Sequence, residues 1–194
     1  MRDLVYYIGA SLDGYIAGPG GEFDFFPQGE GQQLADYHAW LAAEFPDTIP
    51  TFARPHLGLA DAPAQAFDTV LMGLGTYRPV PDSPASPYAH LRQYVVSTTL
   101  GRADDPAVTV VDADPLAFVR DLKREEGLDI WLCGGGKLAG TLLPEIDRLV
   151  VKRYPVVAGG GVPLFDGPFA PTRFTPDRTH TFDTGVRVTW YTSC

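Results

Sequence analysis

Asp129-Ile130-Trp131-Leu132-Cys133-Gly134-Gly135-Gly136-Lys137-Leu138 decides the fold. Its first five residues read as a strand, and the apolar run Ile130-Trp131-Leu132 ended by Cys133 suits burial on both faces. The glycines end that run, and Gly136 to Leu143 read as a short helix. In open α/β sheets, ligands bind beyond the carboxyl ends of parallel strands, where such turns lie. A pyrophosphate needs bare backbone to approach, because a Cβ would hold it off, and Lys137 adds a charge at the first helical turn. A plain tight turn explains most single glycines, whereas three in a row between a strand and a helix favour phosphate. The spacing is neither the Rossmann Gly-x-Gly-x-x-Gly pattern nor a P-loop.

Two other apolar runs end the same way. Thr69-Val70-Leu71-Met72 meets Gly73-Leu74-Gly75-Thr76, where Thr76 is placed to cap a short helix that Pro79 and Pro81 interrupt. Tyr94-Val95-Val96 meets Ser97-Thr98-Thr99. Three such ends together would make a phosphate cradle.

Further out, Leu4 to Ile8, Val108 to Val111 and Leu149 to Val151 read as strands. Tyr15-Ile16-Ala17 reads as chain crossing the end of a sheet. Leu34, Tyr37, Leu41 and Phe45 recur at helical spacing from Gln32 until Pro46 stops them. A second helix is expected over Asp112 to Gly127, with Asp114 as N-cap and Pro115 in its first turn. Thr48 to Gln65, with Pro50, Pro55 and Pro63, reads as a long loop that covers a site. Gly159-Gly160-Gly161 reads as a turn feeding Val162-Pro163-Leu164-Phe165, whose apolar residues pack on the sheet. Thr179 to Thr192 reads as a hairpin about Asp183-Thr184-Gly185. The pattern predicts an α/β domain over residues 1–194, mainly parallel, with antiparallel C-terminal strands and flanking helices.

The 194 residues carry a formal net charge of -9, which opposes nucleic acid and anionic membrane as partners. The apolar start is too short for a signal peptide, so a cytoplasmic protein is expected. His38, His56, His90 and His180 are isolated and lack metal-ligand spacing, so no metal is expected. Cys133 reads as a small buried hydrophobe, and the two cysteines are expected to be reduced.

Five segments in order carry a resemblance. They are Ser11-Leu12-Asp13-Gly14-Tyr15-Ile16-Ala17, Asp68-Thr69-Val70-Leu71-Met72-Gly73, Tyr94-Val95-Val96-Ser97, Cys133-Gly134-Gly135-Gly136-Lys137 and Gly159-Gly160-Gly161-Val162-Pro163-Leu164-Phe165. The chain resembles the riboflavin-biosynthesis reductase domain family, the C-terminal domain of the bifunctional deaminase-reductase and its stand-alone relatives. The resemblance implies a dihydrofolate reductase-like three-layer sandwich and NADPH bound across the carboxyl edge of the sheet. It places Gly9, Ile16 and Ala17 beside the nicotinamide. Gly73, Leu74, Gly75 and Thr76, with Ser97, Thr98 and Thr99, would hold the adenosine phosphates, and the stretch from Cys133 through Gly134, Gly135, Gly136 and Lys137 to Leu138 the pyrophosphate. Ordinary core filling is the alternative for Ile16 and Ala17.

Relatives often read Met-Gly-Arg and Val-Ser-Arg where this chain has Leu74 and Thr98. Two arginines expected at the 2′-phosphate are missing, and NADH stays open as the cofactor. No deaminase-like His/Cys zinc motif is present, so the first half of the bifunctional riboflavin enzyme is expected to be lacking, which argues against a role in riboflavin biosynthesis itself. An exposed edge among the C-terminal strands suits a homodimer.

Hydride transfer needs orientation and a proton source. Candidate acids after Gly21 are Glu22, Asp24 and Glu30. Asp24 stands out because Phe23, Phe25 and Phe26 would raise its carboxyl pKa, with an exposed loop aspartate as the competing reading. Asp13, in its Ser-Leu-Asp-Gly turn, is expected to bond its own backbone. Lys152, at a strand end, either faces the substrate or is solvated. Phe25, Trp40 and Tyr77 are candidate stacking walls for the substrate. Two functions follow: an NAD(P)H-dependent oxidoreductase of a small heteroaromatic or carbonyl substrate, or a nucleotide- or ligand-binding protein of the same fold without efficient catalysis.

Overall fold

Alternating side chains set the frame. In β1 (Leu4–Ala10), Val5 and Tyr7 enter one apolar cluster and Leu4 and Tyr6 the opposite one, so the strand is buried on both faces. The computed structural model describes residues 1–78 and 84–194. After β1 come β2 (Tyr15–Ala17), α1 (Gln32–Glu44), β3 (Phe67–Gly73), α2 (Leu74–Tyr77), β4 (Arg92–Val96) and β5 (Val108–Val111). There follow α3 (Pro115–Arg124), β6 (Asp129–Gly134), α4 (Gly136–Leu142), β7 (Arg148–Arg153), β8 (Val162–Pro163), β9 (Phe174–Thr181) and β10 (Arg187–Ser193).

The main sheet has the order β5-β4-β3-β6-β1-β7-β10-β9. Every pair from β5 to β7 is parallel, while β10 runs antiparallel to both β7 and β9. Trp40 and Leu41 of α1 pack on one face, and Val119, Leu122, Leu138 and Leu142 of α3 and α4 on the other. This is the expected mainly parallel three-layer arrangement with an antiparallel C-terminal end. Gly185, at φ 84°, makes the β9–β10 turn, closed by Phe182 N–H to Val186 O at 2.9 Å. β9 is the outer strand and is almost wholly exposed.

Four local expectations change. Tyr15–Ala17 is a strand that pairs antiparallel with β8, so the chain after β1 is tied to the segment 162–163. Thr76 lies inside α2, whose N-cap is Gly73; Pro79 and Pro81 lie outside the described residues. The second helix ends at Arg124, before Gly127. The buried guanidinium of Arg2 bonds Asp68 and Leu128 O, while Asp68 also accepts from Leu128 N–H at 2.8 Å, which draws the chain out of the helix. The fourth change concerns the loop at 48–65, which holds a 3₁₀ turn, Arg54–Leu57, and is closed by two buried charges. Arg54 donates to Pro46 O and Ala62 O at 2.7 and 2.9 Å. The Asp47 carboxylate accepts from the N–H groups of Gln65, Ala66 and Phe67. No helix among the described residues is long and apolar enough to cross a membrane.

Candidate functional site

Parallel pairing brings the carboxyl ends of β1, β3, β4, β6 and β7 to one edge, and one cleft of about 1620 Å³ runs along it. Ile8 and Gly9 of β1, Gly73 of β3, Val96 of β4, Cys133 of β6 and Lys152 of β7 all line it. The sequence-derived cofactor set is brought together almost entirely. Ile16, Ala17, Leu74, Gly75, Thr76, Ser97, Thr98, Thr99, Gly135, Gly136, Lys137 and Leu138 line the same cleft. Gly134 is the exception: it is buried beneath the floor at φ 127°.

The glycines divide the work. A Cβ on Gly135 would stand 3.4 Å from Thr76 Oγ1 and 3.9 Å from Ile16 Cδ1, both on cleft-lining side chains, so the backbone is bare there. A Cβ on Gly136 would stand 2.1 Å from Pro163 O, so this glycine admits the chain around β8. Gly136 O also accepts from Asp166 N–H at 3.0 Å. Leu164 and Phe165 then pack against the cluster containing Tyr6, with the Phe165 and Tyr6 rings edge-on at 5.4 Å.

Asp13 acts across the chain as well as on its own backbone. Its carboxylate accepts from Ser11 Oγ at 2.6 Å and from the N–H groups of Ala158 and Gly159 at 2.9 and 2.7 Å. The Ser11 hydroxyl and these amides hold its carboxyl down at about 2.

The expected acids and aromatic walls lie elsewhere. Glu22, Asp24 and Glu30 are exposed and stand outside the cleft lining, and Glu22 accepts from Gly20 N–H at 2.8 Å. Phe25 gives way to Phe23 and Phe26 as cleft residues. Trp40 turns from the cleft to the β9–β10 hairpin, stacking on His180 and meeting Phe182 edge-on, because Tyr37, His38 and Leu41 occupy the cleft side of α1. Tyr77 is buried, its hydroxyl donating to Ala85 O at 2.6 Å. The aromatic walls are Phe23, Phe26, Tyr37, Tyr88 and Tyr154. Composition gave no signal for them; only the fold of 84–91 and of the end of β7 brings Tyr88 and Tyr154 to the cleft.

Lys152 follows Val150 on the same face of β7, and its Nζ lies 4.4 Å from the centre of the Tyr7 ring. Burial works against its ammonium, but the oxygens of Tyr7, Tyr37 and Tyr154 favour it more strongly and hold it above its ordinary range. Burial pushes the Tyr7 phenol up to about 12 against the pull of Lys152, and the Cys133 thiol likewise to about 12. Cys133 is therefore an inert wall at neutral pH.

The sequence profile of the RibD C-terminal domain matches residues 2–188. The chain belongs to the RibD C-terminal domain family. It is 30% identical over 190 residues to the uncharacterized protein YwjB of Bacillus subtilis (strain 168), covering 96% of each chain. To YyaP of the same strain, also uncharacterized, it is 29% identical over 200 residues, covering 96% of this chain and 92% of the other. Among solved structures, a Shewanella sp. PV-4 protein provisionally assigned to riboflavin biosynthesis superposes with a TM-score of 0.67 at 24% identity, over 100% and 99% of the two chains. The Thermotoga maritima diaminohydroxyphosphoribosylaminopyrimidine deaminase/5-amino-6-(5-phosphoribosylamino)uracil reductase gives 0.64 at 14% identity; this chain matches 57% of that longer one. At these identities the solved structures establish the shared fold.

Proposed function

We propose that this protein is an NAD(P)H-dependent reductase of a small heteroaromatic or carbonyl compound. The observation that carries the reading is the cleft at which five parallel strands end beside bare glycine backbone at Gly75 and Gly135. Membership of a family whose longer relatives include a named reductase supports the same class of chemistry.

The residues present fit a dinucleotide. Gly135 and Gly75 leave backbone bare to the cleft, Lys137 and Arg78 bring positive charge to it, and Ile16 and Ala17 offer an apolar border. A reduced nicotinamide would supply the hydride. The protein's part is to hold flat rings against Ile8, Ile16 and Tyr88, to exclude water with the aromatic wall, and to keep charge at Lys152 Nζ. Arg78 already engages Asp104, and Leu74 and Thr98 carry no charge, so the 2′-phosphate finds no dedicated pair of arginines here. The reading therefore includes NADH as well as NADPH.

Titration with NADPH and NADH, following nicotinamide fluorescence, tests it. Micromolar to low-millimolar binding of at least one is expected, and no binding of either at millimolar concentration sinks the reading. A second reading, a ligand-binding protein without efficient catalysis, is favoured by Glu22, Asp24 and Glu30 standing outside the cleft. Tight dinucleotide binding with no oxidation across a panel of planar carbonyl and imine acceptors would select it.

A further inference from the structure

Below the main cleft, at the carboxyl ends of β1, β6 and β7, lies a recess of about 190 Å³. It shares Gly9, Leu41, Cys133 and Lys152 with the cleft above and adds Tyr7 and Trp131 at its base. A dinucleotide does not fit such a volume; the end of one ring does.

Its polar side chains are Lys152, the hydroxyl-bearing Tyr7, Thr48 and Tyr88, and the thiol of Cys133. Lys152 is its only cation, and among the described residues no carboxylate lies within ion-pair distance of Nζ. Tyr7 is 3% exposed, and its hydroxyl has no hydrogen-bond partner. The other face of the Tyr7 ring is stacked on Phe45 at 4.2 Å, which fixes the ring, and Trp131 Nε1 donates to Tyr7 O at 3.2 Å, which fixes the backbone. The Thr48 hydroxyl is spent on Phe45 O. A buried donor without an acceptor is costly, and a buried ammonium whose neighbouring oxygens are only phenolic gains from a full negative charge. Both deficits are met by one oxygen that carries negative charge. The walls, Ile8, Leu41, Tyr88 and Trp131, are apolar or aromatic, with Tyr88 edge-on to Trp131 at 4.8 Å, a lining that suits a flat ring.

We propose that this recess is an oxyanion subsite, in which Lys152 and Tyr7 bind the ionised or strongly polarised oxygen of a planar ring: a phenolate, an enolate or a vinylogous acid. Calling that ring the substrate rests on the reductase reading above; the subsite itself does not. The site favours such rings over neutral alcohols and over aliphatic acids of the same charge.

The probe is 4-nitrophenolate, followed by its visible absorption, with 4-nitroanisole as the same ring without charge. The native protein should bind the phenolate at least tenfold more tightly than the anisole. Lys152→Met should lose that preference while keeping the anisole affinity. Equal affinity of the native protein for the two probes, or an unchanged phenolate affinity in Lys152→Met, overturns the proposal. Should Lys152→Met fail to fold, Tyr7→Phe decides: weaker phenolate binding supports the subsite, and unchanged binding overturns it. Phenolate binding without any NADPH or NADH binding would sink the reductase and leave the subsite standing. The reverse pattern would do the opposite.

Discussion

The Asp13 carboxylate accepts a hydrogen bond from Gly159 N–H at 2.7 Å, joining the turn after β1 to the loop after β7 across 146 positions of sequence. The same carboxylate holds Ala158 N–H, and Gly161 lies so close to Ala17 that an added Cβ would meet Ala17 O at 2.1 Å. Ala17, Gly161 and Val162 line the cleft, so the clip shapes one of its walls. Asp13→Asn keeps the size of the side chain and removes the charge that two N–H donors face. A three- to tenfold loss of dinucleotide affinity is expected by fluorescence titration. The pH dependence has a defined sign. The folded carboxyl, at about 2, lies below its ordinary 3.8, so its contribution is present above that ordinary value and lost as pH falls from there toward 2. Acid unfolding of Asp13→Asn should lack this component.

Thr98 is exposed at the cleft, at the end of β4, one residue beyond buried Ser97. A guanidinium placed there could form charge-assisted bonds to a 2′-phosphate, each of about 1.5–3 kcal/mol. Thr98→Arg should tighten NADPH at least tenfold and leave NADH within twofold, read as paired dissociation constants. Equal tightening of both would mean that the adenosine end lies elsewhere.

How legible the site was depended on the range of the signal. The strand ends at Met72, Val96 and Cys133 were readable because an apolar run closed by small residues is a local pattern, and the parallel sheet then had to bring those ends together. Trp40 was misplaced because helical periodicity gives a face but not its neighbour: the partner is the distant β9–β10 hairpin. Asp13 was legible only in its local half: Ser11 lies two residues away, while Ala158 and Gly159 lie 145 and 146 away. The recess at Tyr7 and Lys152 is made by register, since pairing of β1 with β7 sets Gly9 beside Lys152, a neighbourhood that no run of residues announces.

Two glycines in the same cleft should respond oppositely to alanine. On Gly136 a Cβ would stand 2.1 Å from the backbone oxygen of Pro163, which cannot swing away as a side chain would. Gly136→Ala should destabilise by about 1–3 kcal/mol through overpacking. On Gly75, within α2, a Cβ meets nothing within 4 Å. Gly75→Ala should stabilise by about 0.5–1 kcal/mol, because the unfolded chain loses freedom and the helix accepts alanine. Urea unfolding of both variants checks the pair, and a stable Gly136→Ala would show that the segment around Pro163 yields.

His90 sets a second pH dependence, near neutrality. Its Nε2 lies 2.9 Å from Asp47 O, a carbonyl that only accepts, so Nε2 carries the hydrogen and Nδ1 accepts from Thr51 Oγ1 at 2.9 Å. Protonation would force Nδ1 to donate and the threonine hydroxyl to turn. Burial lowers the His90 pKa from its ordinary 6.5, outweighing the Asp47 carbonyl that raises it, and nearby Arg54 lowers it further. Between the lowered value and 6.5, the unfolded chain binds a proton that the folded chain refuses, so stability rises with pH in that window. It is full above 6.5 and declines as pH falls below it. His90→Gln should flatten this dependence in urea unfolding followed across the window. Because Thr48, Ile49 and Pro50 on the segment that His90 holds are cleft residues, ligand affinity in the native protein should weaken over the same pH range and should not do so in the variant.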